Sequence, residues 1–321
     1  MKNLAELGAI IENEIGKLSY PQSPELLYSP IEYIMGMQGK RMRPILVLMA
    51  HQLFDENLDK AISPALSIEV FHNFTLLHDD IMDKAPLRRG NATVHEKWNE
   101  NVAILSGDTM MIQAYQLLSK VDDEKLRKVL DVFSKAATEV CEGQQWDMDF
   151  ETQNNVEISE YIKMIEYKTA VLLAASLQIG GITGGASIQE QENLYEFGRN
   201  IGIAFQLKDD LLDAFGNPDT FGKQVGGDIM SNKKTYLYLK ALEAASDKQK
   251  NELEKYFSIS DTSTEKVNAV KKIFIDLKIQ SFIIDLMKEY QMRAMMHLDA
   301  IGSSNKEPLI AFSEKLMDRI S

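Results

Sequence analysis

Proline is absent from two long tracts of this 321-residue chain, residues 87–217 and 219–307. An interior proline removes a backbone hydrogen bond and breaks a helix, so tracts of this length favour helices. Strand signals are weak, because the chain lacks sustained two-residue alternation with hairpin turns. Apolar residues instead recur every three or four positions, as in Val129, Val132, Phe133, Ala136 and Val140. The sequence therefore predicts an all-α fold.

Apolar spacing, proline and glycine together predict where the helices lie. Predicted helices cover about 3–18, 31–37, Pro44–Leu53, a stretch from Asp59 or Ser63 to the first acidic cluster, 101–119, 124–149, 157–179, 188–215 and 233–245, with more helix from about 248 onward. Predicted loops cover 39–44, 86–90 and 215–223, the last extended by 226–228. No shift in composition marks a boundary, so we expect one domain over residues 1–321.

The bulk properties exclude several classes of protein. The formal net charge is -13, which disfavours nucleic acid as a partner. Cys141 is the only cysteine, so no intrachain disulfide is possible and a reducing compartment is expected. No stretch of about 18 apolar residues exists, and the first 18 residues lack the apolar centre of a signal peptide. We expect a cytoplasmic protein with no membrane span.

Two acidic clusters share one spacing. Each follows a mostly apolar run, and together they comprise Asp79, Asp80, Asp83, Asp209, Asp210 and Asp213. On a helix the first, second and fifth positions of such a segment share one face. One such trio fits a solvated surface as well as a metal site. Repetition beside apolar runs favours a hard divalent cation, since partly buried carboxylates need cations and Mg2+ binds carboxylates together with phosphates.

Basic residues concentrate in loops and at helix ends near these clusters. They are Lys40, Arg41, Arg43, Arg88, Arg89, Lys168, Lys223, Lys233 and Lys234. Arginine and lysine suit phosphate oxygens, although any one of them alone is more often a solvated side chain. Acidic clusters and basic loops together indicate an anionic ligand, such as a diphosphate, with metal ions between.

These motifs, taken in order, resemble the trans-isoprenyl diphosphate synthases of the polyprenyl synthetase family. Both acidic clusters resemble the family's DDxxD. The remaining matches are residues 39–44 to GKRxRP, 87–90 to LRRG, 168–169 to the Lys-Thr pair, 222–228 to GKxxGxD followed by Lys233, and Gly143, Gln144 and Asp147 to a cavity-lining helix motif. The matches run in family order from about residue 36 to 235.

The resemblance implies a helical bundle of the isoprenoid synthase type with a central cavity. It also implies a Mg2+-dependent prenyltransferase that condenses isopentenyl diphosphate head-to-tail with dimethylallyl, geranyl or farnesyl diphosphate. Three Mg2+ ions would join the six aspartates to the allylic diphosphate. The residues implied in catalysis are Asp79, Asp80, Asp83, Arg88, Lys168 and Lys223.

The resemblance also divides the remaining polar residues between two substrates. Isopentenyl diphosphate would be held by Lys40, Arg43, His72 and Arg89. The allylic diphosphate would be held by Arg88, Lys168, Thr169, Gln206, Lys223 and Lys233. Family members are usually homodimers, with helices around 101–119 at the interface, so we expect the same of this chain.

Product length should depend on two residues before the first acidic cluster. In the resembling family, the residues five and four before that cluster form the floor of the pocket, and here they are Phe74 and Thr75. A bulky ring should stop the growing chain early, while a small threonine leaves some room. This combination resembles enzymes that make geranylgeranyl diphosphate, with farnesyl diphosphate the second candidate.

Two other readings of the sequence stay open at this point. A terpene cyclase shares the fold and the first acidic motif, but it would lack the motifs at 39–44 and 87–90. A non-catalytic subunit of a heteromeric synthase would typically lose acidic residues, and none is lost here. His78 has no assigned role beyond a hydrogen-bond partner near the acids.

Overall fold

The computed structural model describes residues 2–153, 155–216, 225–259 and 261–317. The elements of the N-terminal part are α1 (Leu4–Gly16), α2 (Glu25–Gly36), α3 (Met42–His51), α4 (Asp59–Met82), β1 (Leu87–Arg88), β2 (Asn91–Ala92), α5 (Val94–Lys97), α6 (Glu100–Leu118) and α7 (Asp123–Thr152). Next come α8 (Ile158–Ile165), a π-helical turn (Glu166–Ala170), α9 (Val171–Gly184) and α10 (Ile188–Phe215). Then follow α11 (Gly227–Met230), α12 (Tyr236–Ala244), α13 (Asp247–Phe257), α14 (Thr264–Asp276), α15 (Ile279–Asp299) and α16 (Glu307–Met317). The prediction of an all-α fold is confirmed.

Most predicted helices are found close to their predicted bounds. The helix over 188–215 has the predicted ends, and the helix that carries the first acidic cluster begins at Asp59. The helix predicted over 157–179 instead continues to Gly184 through the π-helical turn. Apolar residues continue through this whole stretch, so their spacing could not predict the irregular turn within it.

The prediction that α2 starts near residue 31 was wrong. The helix begins at Glu25 and contains Pro30 in its interior. An interior proline costs about 3 kcal/mol relative to alanine. Pro30, Ile31 and Ile34 are all buried, so core contacts outweigh that penalty.

Two predicted loop segments contain regular structure. Residues 87–92 form a β-hairpin in which Leu87 pairs with Ala92, and Arg88 pairs with Asn91. Its two turn residues, Arg89 and Gly90, have φ of 52° and 78°, as a two-residue hairpin turn of type I′ requires. The predicted loop at 226–228 runs into the short helix α11. Both elements are too short for apolar periodicity to reveal them.

The described residues fall into two compact units. The first unit comprises Met1–Ser134, Ala175–Tyr195 and Ile301–Leu309. The second unit comprises Lys135–Ala174, Glu196–Ala300 and Ile310–Ser321. The single domain expected over residues 1–321 stays a prediction.

The core of the first unit surrounds α3 and α4. All of Pro44–His51 is buried, as is nearly all of the central stretch of α4. Helix α4 packs against both α3 and α6. The hydroxyl of Ser67 donates to the carbonyl of Ala114 at 2.7 Å, which satisfies a buried polar group between α4 and α6. Helix α4 is therefore anchored to α3 and α6 through its buried central stretch.

The core of the second unit joins α8, α10, α12, α14 and α15. Its buried members include Tyr161, Leu207, Leu237, Phe274 and Ile283. The second acidic cluster lies on α10, directly after Leu207. Burial of apolar neighbours on both sides of the cluster holds these carboxylates at a fixed place on the helix.

We expect Gly180→Ala to destabilise the protein by about 1–3 kcal/mol, as overpacking does. A Cβ at position 180 would lie 2.2 Å from the carbonyl oxygen of Val47 and 2.8 Å from the Cβ of Ala50. The substitution would gain about 1 kcal/mol of helix propensity, so the measured loss is net of that gain. Urea unfolding gives the measurement.

Gly16→Ala is the matched control, because a Cβ there meets no atom within 4 Å. It should leave the free energy of unfolding unchanged or slightly raised. Equal effects of the two substitutions would contradict a close contact between α3 and α9.

Candidate active site

The first acidic cluster lies at the C-terminal end of α4. Asp83 follows the last helical residue, and its N–H donates to the carbonyl of Asp79 at 2.8 Å. Asp80 is only 2% exposed, Asp79 is half-buried and Asp83 is exposed. The cluster thus runs from the protein interior to its surface.

The β-hairpin returns Arg88 to the first cluster. Its Nε lies 2.8 Å from both carboxylate oxygens of Asp80, and its Nη2 lies 2.7 Å from Oδ1. Burial raises the pKa of Asp80, and the hydrogen bond and charge of Arg88 oppose that shift. Part of the first cluster is therefore already neutralised by Arg88, which the sequence predicts to bind the allylic diphosphate.

A cavity of about 530 Å³ in the first unit is lined with cations. It brings together the four residues predicted to hold isopentenyl diphosphate. Its lining is Gln38, Gly39, Lys40, Arg41, Met42, Arg43, Glu69, His72 and Arg89. Gly39 leaves room for the guanidinium of Arg89, since a Cβ at position 39 would lie 2.6 Å from Nη1 of Arg89 and would displace it. The cavity has the size and charge for a small anionic ligand.

His72 is held in its neutral form in this cavity. Nη1 of Arg43 lies 3.1 Å from Nε2 of His72, and a guanidinium can only donate. Burial lowers the pKa of His72 well below its ordinary value, and Arg43, Arg89 and other arginines lower it further. His72 can therefore accept a hydrogen bond from Arg43 without adding positive charge.

The second acidic cluster is hydrogen-bonded within the second unit. Tyr161 OH donates to Oδ2 of Asp210, and Gln206 donates to Oδ1 at 3.2 Å. Thr169 in turn donates to Gln206 at 3.2 Å. Burial raises the pKa of Asp210 well above its ordinary value, and Asp228 adds to that rise. Asp210 is 3% exposed, whereas Asp209 and Asp213 are half-buried.

Lys168 projects from the π-helical turn. Its Nζ donates to Asp147 on α7 at 2.5 Å. A Cβ at Gly143 would lie 2.2 Å from the backbone nitrogen of Lys168, so only glycine allows α7 to approach this turn. The predicted helix motif of Gly143 and Asp147 thus packs against the Lys168-Thr169 pair.

A smaller cavity of about 140 Å³ in the second unit brings several predicted residues together. Its polar lining is Asp147, Glu151, Tyr161, Lys168, Thr169, Gln206, Asp210, Asp228, Lys233, Lys234 and Thr235. Lys234 donates to the carbonyls of Phe150, Glu151 and Gln153, which belong to the C-terminal end of α7 and the residue after it. The Nζ of Lys234 therefore binds the C-terminal end of α7. Lys223 lies outside the described residues.

Sequence reasoning assigned no role to several residues that line the two cavities, among them Tyr161, Asp228 and Glu69. Tyr161 gave no signal, since it occupies an ordinary apolar position of α8. Asp228 is the last residue of the motif at 222–228, but the motif alone did not assign it a role in the site. Glu69 did carry a signal, because it is one acid within the apolar run of α4, and it is 1% exposed.

Phe74 and Thr75 lie on α4 above an aromatic cluster. The ring of Phe74 lies 5.6 Å from that of Phe71 and 4.7 Å from that of His78. Phe71 contacts Phe133 at 5.2 Å. His78 packs on Gly107, where a Cβ would lie 2.3 Å from its Nε2, and so helps to join α4 to α6.

The acidic clusters fit a metal ion only with help from a ligand. Among the residues that the structure describes, no three His, Cys, Asp or Glu side chains lie close enough to hold an ion unaided. Carboxylate oxygens still match the preference of Mg2+, which takes one or two carboxylates together with phosphate and water. The donor set therefore fits an ion that binds together with a diphosphate. Across the same ranges, no helix has the length and apolar character that a membrane crossing requires.

We expect His72→Gln to flatten the pH dependence of stability between pH 7 and 5. The unfolded chain protonates this histidine near pH 6.5, whereas the folded chain resists protonation, so the free energy of unfolding falls as the pH falls. Without this histidine, the free energy of unfolding should fall less steeply with pH, by at most about 1.4 kcal/mol per pH unit. Urea unfolding at each pH gives the measurement.

A residual slope should remain in that variant. The pKa of His51 is also lowered by burial, and this residue is unchanged. Parallel stability curves for the two proteins would contradict a His72 that stays neutral in the folded protein.

Comparison with known proteins identifies the family to which this chain belongs. The model of the polyprenyl synthetase family matches residues 24–275. A geranylgeranyl diphosphate synthase of Methanosarcina mazei is 46% identical over 235 residues, 73% of this chain and 72% of that protein. A crystal structure of a geranylgeranyl pyrophosphate synthase covers all of both chains at 44% identity, with a TM-score of 0.95.

One further solved structure carries ligands. It is a geranylgeranyl pyrophosphate synthase from Corynebacterium glutamicum in complex with isoprenyl diphosphate and magnesium. The structural match covers 99% of this chain and 100% of the solved chain at 25% identity, with a TM-score of 0.89. The family match spans most of the chain and includes both acidic clusters and the residues that line both cavities. The chain therefore belongs to the polyprenyl synthetase family and is a prenyltransferase.

Proposed function

We propose that this enzyme joins isopentenyl diphosphate head-to-tail to dimethylallyl, geranyl and farnesyl diphosphates. Geranylgeranyl diphosphate is the favoured product and farnesyl diphosphate the second candidate. The observation that carries this proposal is the grouping of Lys40, Arg43, His72 and Arg89 in one cavity. A terpene cyclase has no second diphosphate to bind there, and a non-catalytic subunit does not need both acidic clusters.

Divalent metal ions take part in diphosphate binding in this family. We propose that the ions are Mg2+, three in each active site, held by Asp79, Asp80, Asp83, Asp209, Asp210 and Asp213. Bound there, they would neutralise the diphosphate that leaves. The magnesium named for the Corynebacterium glutamicum enzyme supports this choice.

The first chemical step breaks the bond between the allylic carbon and the diphosphate oxygen. The electron pair leaves with the diphosphate, and an allylic cation remains. The side chains proposed to stabilise the departing charge are Arg88, Lys168, Thr169, Gln206, Lys223 and Lys233. No side-chain nucleophile is needed in this step.

The second step forms the new carbon–carbon bond. The proposed roles of Lys40, Arg43, His72 and Arg89 are to hold isopentenyl diphosphate so that its double bond faces the cation. Its π electrons form the bond, and the loss of a proton from the neighbouring carbon restores a double bond. The released diphosphate is the proposed acceptor of that proton.

Assembly and location complete the proposal. Ile104, Leu105 and Ile112 on α6 are 44%, 58% and 60% exposed, which supports a homodimer through this helix. The reducing compartment expected from the single cysteine supports the cytoplasm.

The direct test incubates the purified protein with Mg2+, isopentenyl diphosphate and each of the three primers. We expect elongated diphosphates, with geranylgeranyl diphosphate the main product by chromatography. Chelation of the metal should stop the reaction, and added Mg2+ should restore it. If no primer is elongated, the proposed function is wrong.

A matched pair of variants separates the site from general acidity. Asp209→Asn should lower kcat about 10²- to 10³-fold, as loss of one preorganised electrostatic group does. Asp285→Asn should match the wild type, because its side chain is 77% exposed. Equal activity of the two variants would contradict the role of the second cluster.

We expect Phe74→Ala to lengthen the product, because it removes the ring that lies on Phe71 and His78. Phe74→Leu keeps part of the bulk and should give an intermediate distribution. Radiolabelled products separated by chain length provide the measurement. A distribution identical to that of the wild type would rule out Phe74 as the residue that limits length.

A further inference from the structure

Arg41 lies in the middle of the basic loop, yet its guanidinium binds the protein itself. Nη1 donates to Oε1 of Glu69 at 2.8 Å, and Nε donates to Oε1 of Glu12 at 3.0 Å. Nη2 donates to the carbonyls of Met35 and Met37, each at 2.8 Å. All three nitrogens are thus used, and the residue is 5% exposed. Arg41 is built into the wall of the cavity.

The backbone of Arg41 is in the left-handed region, with φ 44° and ψ 36°. A residue other than glycine holds this conformation only when its surroundings impose it. The next residue begins α3, and Lys40 and Arg43 on either side line the cavity. The contacts of the Arg41 side chain therefore hold the chain reversal that aims its neighbours.

Glu69 is the buried anion of this arrangement. Its Oε1 accepts from both Arg41 and Nδ2 of Asn73, the latter at 3.0 Å. Its Oε2 is buried and has no hydrogen-bond partner within the described part of the chain. Glu69 lines the cavity beside Arg43 and Arg89. A buried carboxylate in this position balances cations that would otherwise repel one another.

The charge of Arg43 shows the same balance. Burial lowers the pKa of Arg43 to about 10. Glu69 opposes this shift, whereas Arg89 adds to it. Glu69 therefore favours the charged form of a residue assigned to the second diphosphate.

We propose that Arg41 and Glu69 form a positioning pair that holds the basic loop so that Lys40 and Arg43 face isopentenyl diphosphate. This inference rests on the proposed function and deepens it. Neither residue touches the reacting atoms. The pair acts on one substrate alone, because its contacts reach only the cavity of the first unit.

The experiment compares Glu69→Gln, Arg41→Gln and the double variant with Glu12→Gln. Glu12 also contacts Arg41, but its side chain is 51% exposed, so its loss should change little. Each single substitution in the pair should raise the KM and Kd for isopentenyl diphosphate about 10- to 100-fold. The KM for the allylic primer should stay within about threefold, since its ligands are untouched.

The double variant separates positioning from stability. Each single variant leaves one buried partner without its counter-charge, so both should lower the Tm, and the double variant should recover most of that loss. If the pair positions the loop, the KM for isopentenyl diphosphate stays raised in the double variant. Recovery of both Tm and KM would overturn the proposal.

Arg41→Lys serves if the double variant does not fold. Lysine keeps a charge beside Glu69 but cannot reach the four acceptors of Arg41. A folded Arg41→Lys protein with the wild-type KM for isopentenyl diphosphate would also overturn the proposal. Calorimetry with isopentenyl diphosphate and no primer tests the positioning pair separately from the proposed function. Binding without elongation would refute the proposed function, whereas the positioning pair would be judged by Kd alone.

Discussion

Buried charge is the constraint on which the rest of this protein depends. A carboxylate removed from water needs donated hydrogen bonds or a cation, and this chain buries several of them close to its candidate sites. Each is answered from another element. The buried acids pair as Asp80 with Arg88, Asp210 with Tyr161 and Glu69 with Arg41, and the partly buried Asp147 pairs with Lys168. The helices supply the scaffold, and these pairs give the sites their geometry.

The two cavities answer different chemical demands. In the first unit, cations outnumber acids around an open space, and a neutral His72 accepts a hydrogen bond from Arg43. In the second unit, both acids and lysines line a much smaller space. The proposed reaction ionises one allylic diphosphate and orients a second diphosphate, and these two tasks call for different environments.

Much of this could be predicted from the sequence, for physical reasons that particular residues make clear. The bounds of α10 followed from regular apolar spacing, and the six aspartates stood out because their spacing repeats. The spacing of apolar residues does not show which side chains of two different helices or strands will contact each other. Tyr161 looks like any apolar position of α8, and Arg88 reaches Asp80 only because left-handed Arg89 reverses the chain. Pro30 shows the converse, since burial kept a helix that local propensity argued against.

The π-helical turn changes the direction in which the residues after it point around the helix axis, relative to the residues of α8. In an uninterrupted α-helix, residues eight apart differ by about 80° around the axis. A π turn takes up more residues, which brings Tyr161 and Thr169 to the same side. They meet Asp210 and Gln206, which stand one turn apart on α10. The extra residue in the π-helical turn therefore allows both hydrogen bonds, from Tyr161 to Asp210 and from Thr169 to Gln206, to form. Deleting one residue anywhere in Glu166–Ala170 would rotate Tyr161 relative to Thr169, so that both bonds could not form together.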